Sequence, residues 1–224
     1  MLNDFFMETA DEDLINKALT HPSYVKEKNL DVLSCYERLE FLGDSVLKLF
    51  TSKLLYNTYP EYQEGELSKI RSILVSDFIL SKIATEIGLD ELIILGPAEE
   101  KQGGRHRESN LACALEAVLG AYFLSGKEKA VEDFIGKYLI PYSKDIDEHF
   151  EKYNAKDILQ QYTQGIDKTL PEYKTVSVTG PAHKPVFEVE VAWQGKVLAA
   201  AKGKTKKEAQ QNCAYEACKA LGAI

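Results

Sequence analysis

The sequence predicts an all-α domain followed by a small α+β domain of α-β-β-β-α order, and three observations predict it. Apolar residues recur at helical spacing up to about residue 150, then fall into three short β-rich runs between two helical segments. Charge divides at the same place, with 17 basic and 28 acidic side chains in residues 1–153 against 10 and 7 in residues 154–224. A chain of 224 residues with 45% hydrophobic and 28% charged residues is long enough for one or two domains with real cores and is neither disordered nor collagen-like. The expected division is 1–143 for the helical domain, 144–153 for a connector and 154–224 for the α+β domain.

In chain order, the segments LINKAL, SVLKLFTSKLLY, ILSKIATEIGL, LEAVLGAYFL and AVEDFIGKYL read as helices, punctuated by Pro22, Pro60, Gly88 and Pro97. The polar stretch GPAEEKQGGRHRES (96–109) reads as a mobile loop, with Ser109 placed to cap the helix after it. A charged connector, SKDIDEHFEKYNAK, leads to the helix DILQQYTQ, the strands YKTVSVTG, PVFEVEVAW and KVLAAAKG, and a last helix from about Thr205 to Leu221. Cys35, Cys113, Cys213 and Cys218 form no CxxC pair and lack histidines at zinc-finger spacing, so reduced thiols are expected. No apolar run reaches the roughly 18 residues of a membrane span, and the acidic start does not resemble a secretory signal; a cytoplasmic protein is the expectation, with no membrane partner.

Within CYERLEFLGDSVLKLF, Glu37, Glu40 and Asp44 lie at i, i+3 and i+7, which puts three carboxylates on one helical face. Leu39, Leu42, Val46, Leu47, Leu49 and Phe50 make the rest of this helix apolar, and carboxylates near a core demand a counter-ion. A second helix carries Glu116 among Ala112, Ala114, Ala117, Gly120 and Ala121, small residues that admit a close neighbour. Two readings stand side by side: a solvated acidic stripe, or an all-oxygen cluster of Glu40, Asp44 and Glu116 of the kind Mg²⁺ or Mn²⁺ favours.

The segment ERLEFLGDSVL (37–47) resembles the signature of the ribonuclease III family, supported by ALTHPSY (18–24), EGELSKIRSILVS (64–76) and LEAVLGAYFLSG (115–126) in the family's order. The tail resembles a double-stranded-RNA-binding domain through GPAHKPVFEVEV (180–191) and GKTKKEAQQNCA (203–214). The resemblance implies a homodimeric endoribonuclease that cleaves double-stranded RNA with a divalent metal, leaving 5′-phosphate and 3′-hydroxyl ends on ribosomal, messenger and transfer precursors. It implies Glu40, Asp44 and Glu116 as metal ligands, Asp44 and Glu116 as the catalytic pair, and Glu37 and Glu64 as residues lining the cleavage valley. His21, without a nucleophile beside it, reads as structural.

Cys113 stands at the fourth ligand position, where the family carries aspartate. A thiol is mostly protonated at neutral pH and sulfur is a soft donor, so weaker Mg²⁺ binding is expected. Three outcomes are open: water fills the ligand place and cleavage survives; cleavage is lost and only duplex binding remains; or a thiolate recruits a softer ion. In the tail, the resemblance implies Gln161 and His183 as minor-groove contacts and Lys204, Lys206 and Lys207 as phosphate contacts, reading duplex RNA by shape. Lys206 and Lys207 in the first turn of a helix capped by Thr205 oppose the dipole, and a phosphate there would be stabilised by both lysines and the free N–H groups. Val176, Val178, Val189, Val191 and Trp193 read as sheet core.

Overall fold

The computed structural model describes residues 10–181 and 185–224, which divide into two compact units, Met1–Asp145 and Ile146–Ile224. In the first unit, Asp11 caps α1 (Glu12–Leu19) by accepting from Leu14 N–H, and α2 (Pro22–Glu27) starts with proline at a position where a missing N–H costs nothing. His21 is the N-cap of α2, its ring nitrogen accepting from the Ser23 N–H at 3.0 Å, which is a structural role. Then follow α3 (Glu37–Thr58), α4 (Glu64–Leu74), α5 (Asp77–Glu86), α6 (Pro97–Lys101), α7 (Glu108–Leu124) and α8 (Glu128–Glu148).

The hub is α7. Leu111, Ala112, Ala114, Leu115, Ala117, Val118, Leu119, Gly120 and Ala121 are all buried, so this helix is apolar nearly all round, as a central helix must be. It lies against α3 closer than ordinary side chains allow. A Cβ on Gly43 would fall 1.7 Å from the Glu116 carbonyl oxygen, and one on Gly120 would fall 2.4 Å from the Leu39 carbonyl oxygen. Each glycine costs its helix about 1 kcal/mol relative to alanine, which the close backbone packing offsets.

Two expectations for residues 96–109 are corrected. The stretch is structured: α6 and a 3₁₀ turn at Gly104–His106 fill it, and Arg105 donates to the carbonyls of Asp90 and Ile93 at 2.7 and 3.0 Å while pairing with Glu100. Ser109 is not the cap of α7, because the helix begins one residue earlier with Arg107 at the N-cap and no capping side chain. Arg107 is instead paired with Glu99 at 2.6 Å, and Asn110 donates to the same carboxylate at 3.0 Å. The stretch expected as a connector is helical, since α8 continues through Pro141 to Glu148 and α9 spans Phe150–Tyr153.

The second unit places α10 (Ala155–Asp167) and α11 (Lys206–Leu221) with an antiparallel sheet of β1 (Glu172–Thr179), β2 (Val186–Trp193) and β3 (Lys196–Gly203) in the order β1-β2-β3. Leu159, Val191, Cys213, Ala214, Ala217 and Cys218 are fully buried between helices and sheet. Val189 and Val191 are core as expected, whereas Val176 and Val178 are exposed. The last helix, α11, packs on β2 and β3, and along β1 exposure alternates so that Val176, at a bulge between Thr175 and Ser177, and Val178 fall on the outward face.

Candidate active site and RNA-binding surface

The close contact of α3 with α7 decides where the carboxylates fall. Glu37, Glu40, Phe41 and Asp44 of α3 and Glu116 of α7 line one open cleft of about 440 Å³. Asp44 follows Glu37 by seven positions, two helical turns along one face, and Gly43 is the residue whose missing side chain lets the Glu116 backbone come up beside them. Glu64 does not line this cleft: it opens α4, is exposed, and accepts from the Ser68 hydroxyl at 2.7 Å.

Electrostatics record the crowding. Glu116 is pushed up to about 8 by burial first, then by the charges of Asp44, Glu40 and Asp77, with Lys48 working against the rise. The Cys113 thiol is driven above its ordinary value by burial, by its hydrogen bond with Glu40, and by the charges of Glu40, Glu116 and Asp77. It is a neutral thiol at physiological pH, which disfavours the reading in which a thiolate recruits a soft ion. Tyr36, buried at the N-cap of α3, is likewise raised by burial and by Cys113 and Glu40, and the His21 ring meets it edge-on at 5.5 Å.

The donor chemistry fits a hard divalent cation: Glu40, Asp44 and Glu116 offer carboxylate oxygens to a shared cleft, and a cation would offset the burial and the repulsion that together raise Glu116. Among the described residues, no three His, Cys, Asp or Glu side chains stand in ion-holding geometry. Asp44 Oδ2 instead accepts from Lys48 Nζ at 2.7 Å. Sequence reasoning missed Lys48, although the i, i+4 spacing from Asp44 was a readable signal. It also missed Asp77, which comes from α5 and carries no mark in the sequence.

In the second unit the RNA-facing candidates divide between two helices. Gln161 is exposed on α10, and Lys204, Lys206 and Lys207 are exposed at the start of α11. His183 lies outside the described residues. Thr205 caps α11 as expected, accepting from Glu208 N–H at 3.1 Å, while the Glu208 carboxylate accepts from Lys204 N–H at 2.7 Å. Lys156, unnoticed in the sequence, donates to Gln210 Oε1 at 3.0 Å and is lowered by burial and by the charge of Lys207, so it belongs to the same cationic corner. The Trp193 indole N–H is held by Thr169 Oγ1 at 2.7 Å, which fixes the ring in the fold rather than offering it to a base.

A Ribonuclease-III-like family model matches residues 11–143, and a Double-stranded RNA binding motif matches residues 155–221. The chain belongs to the ribonuclease III family. Ribonuclease 3 proteins from several strains of Streptococcus pneumoniae are 41% identical to it over 215 residues, 96% of this chain and 92% of theirs. Two structures of the nuclease domain of ribonuclease III from Campylobacter jejuni are 35% identical, with TM-scores of 0.56 and 0.55, and cover 62% of this chain and 93% and 90% of those chains. The first is described as flexible in a region involved in dimer formation. The ribonuclease III-like portion is the helical unit with the acidic cleft, and the RNA-binding motif is the α-β-β-β-α unit. No helix among the described residues is long and apolar enough to cross a membrane.

Proposed function

We propose that this ribonuclease III family member is a divalent-metal-dependent endoribonuclease that hydrolyses double-stranded RNA to 5′-phosphate and 3′-hydroxyl ends, acting in the cytoplasm on ribosomal, messenger and transfer RNA precursors. The observation that carries the reading is the acidic cleft, where the α3–α7 contact assembles Glu40, Asp44 and Glu116 from two helices. Mg²⁺, or Mn²⁺ in its place, would supply Lewis-acid activation of the phosphodiester and a hydroxide at neutral pH. Glu40, Asp44 and Glu116 would hold it, with Asp44 and Glu116 as the catalytic pair. Glu116, raised by burial and its neighbours, would be ionised with the cation bound. The Cys113 thiol, beside Glu40 and neutral, would be a poor ligand for such an ion and would leave the fourth ligand place to water.

Glu37 and Glu64 line the valley that receives the duplex. Gln161 and His183 meet its minor groove, and Lys204, Lys206 and Lys207, joined by Lys156, meet its phosphates. Homodimerisation is supported by the outer face of α3, where Phe41, Leu49 and Tyr56 are 79%, 62% and 73% exposed and recur at helical spacing. Because Phe41 also lines the cleft, a partner seated on this stripe lies beside the catalytic carboxylates.

The neutral Cys113 thiol favours a second reading, a duplex-RNA-binding protein that does not cleave. Purified protein and a Cys113→Asp variant, incubated with long duplex RNA in Mg²⁺ and in Mn²⁺, separate the two. Cleavage by the unaltered chain, at a metal concentration that falls in the variant, is the expected result. Cleavage by the variant alone establishes the second reading, and silence from both overturns the assignment of the site.

A further inference from the structure

Asp44 already has a cation. Lys48 lies one turn further along α3, its Nζ 2.7 Å from Asp44 Oδ2, with the two side chains 51% and 37% exposed. An exposed i, i+4 pair such as Lys129 with Asp133 on α8 contributes little and carries no functional implication. The Asp44–Lys48 pair differs in its surroundings: Asp44 shares its cleft with Glu37, Glu40 and Glu116, and the charge of Lys48 is felt by Glu116 as well as by Asp44. It is positioned as a stand-in for an ion at one of the three proposed ligands.

We infer that Lys48 is the resident counter-ion of the acidic cleft, competing with a divalent cation for Asp44 and thereby setting how much metal the site requires. The inference rests on the proposed metal site and adds its regulation. A divalent ion must displace the ammonium from Asp44, and the displaced group stays tethered to the same helical face. There it repels the incoming charge. Coulomb repulsion between single and double charges about 6–12 Å apart, in the high dielectric of an open cleft, weakens binding about three- to tenfold. Screening by salt reduces the penalty, because the pair is solvent-accessible.

The test is a titration of full-length protein with Mn²⁺ alone, the free ion being counted by electron paramagnetic resonance, for the unaltered chain and for Lys48→Gln, Lys48→Arg and Glu116→Gln. Lys48→Gln is expected to bind Mn²⁺ about three- to tenfold more tightly at low ionic strength, with the gap closing as KCl is added. Lys48→Arg should remain near the unaltered protein, and Glu116→Gln should lose the binding. Equal or weaker binding by Lys48→Gln, with Glu116→Gln still defective, overturns the role of Lys48 and leaves the metal site standing. Absence of Mn²⁺ binding in every chain, or unchanged binding in Glu116→Gln, overturns the metal site and the counter-ion with it.

Discussion

Replacing Gly43 with alanine tests whether the α3–α7 contact builds the site. The added Cβ would lie 1.7 Å from the Glu116 carbonyl oxygen and 2.4 Å from its carbonyl carbon, both backbone atoms of a buried helix with no rotamer to relieve them. The helices must therefore part by more than 1 Å, at an overpacking cost of about 3 kcal/mol. Alanine's better helix propensity returns about 1 kcal/mol, leaving a net loss of about 2 kcal/mol. Gly136 on α8 is the control, because nothing lies within 4 Å of a Cβ there and the same substitution should stabilise by about 0.5–1 kcal/mol. Urea unfolding followed by far-ultraviolet circular dichroism should show the Gly43→Ala midpoint lowered by about 1 M for a slope of roughly 2 kcal/mol per molar. The single tryptophan, Trp193, reports the other unit and should unfold where it did before. A Gly43→Ala protein as stable as the parent would refute the close packing on which the cleft depends.

Glu116→Gln should abolish metal-dependent cleavage and leave duplex binding intact. In metal-free buffer it should also change the pH profile: the folded carboxyl sits near 8 against an ordinary 4.5, so the stability linked to its retained proton is full below about pH 4.5 and is lost as pH rises through about 8. The variant lacks that loss and should melt higher than the parent near pH 8 and alike near pH 5; a gap independent of pH contradicts the crowding described for Glu116. Lys206→Ala combined with Lys207→Ala should weaken binding to unrelated duplexes by one common factor and reduce the log–log salt slope by about one to two. Loss confined to particular sequences would count against recognition by shape.

Helical periodicity and the two-residue alternation carried most of the architecture, because each element buries one regular face. What lay outside that pattern depended on contacts distant in sequence. Arg105 reaches back to the carbonyls of Asp90 and Ile93, and Asn110 and Arg107 converge on Glu99, so a stretch rich in glycine and charge is pinned where composition suggests a free loop. The site was legible in part for the same reason. Glu37, Glu40 and Asp44 share a helix and could be placed on one face by counting, and Gly120 among alanines signalled a close neighbour. Which neighbour, and that Gly43 would be its counterpart, required the fold. Asp77 enters the field of Glu116 from a third helix, a juxtaposition no spacing rule reveals.

The state of the thiols bears on what can disturb the cleft. Burial raises Cys35 and Cys113 above their ordinary values and pushes Cys213 and Cys218 up to about 11. Nucleophilic attack on peroxides, disulfides and alkylating reagents proceeds through thiolate, and here all four sulfurs keep their protons. A cysteine set among catalytic carboxylates would ordinarily expose an enzyme to oxidative control. The carboxylates around Cys113 have the opposite effect, since the negative charge gathered for an ion adds to burial in suppressing ionisation of the sulfur, and with it the reactivity that thiolate would bring.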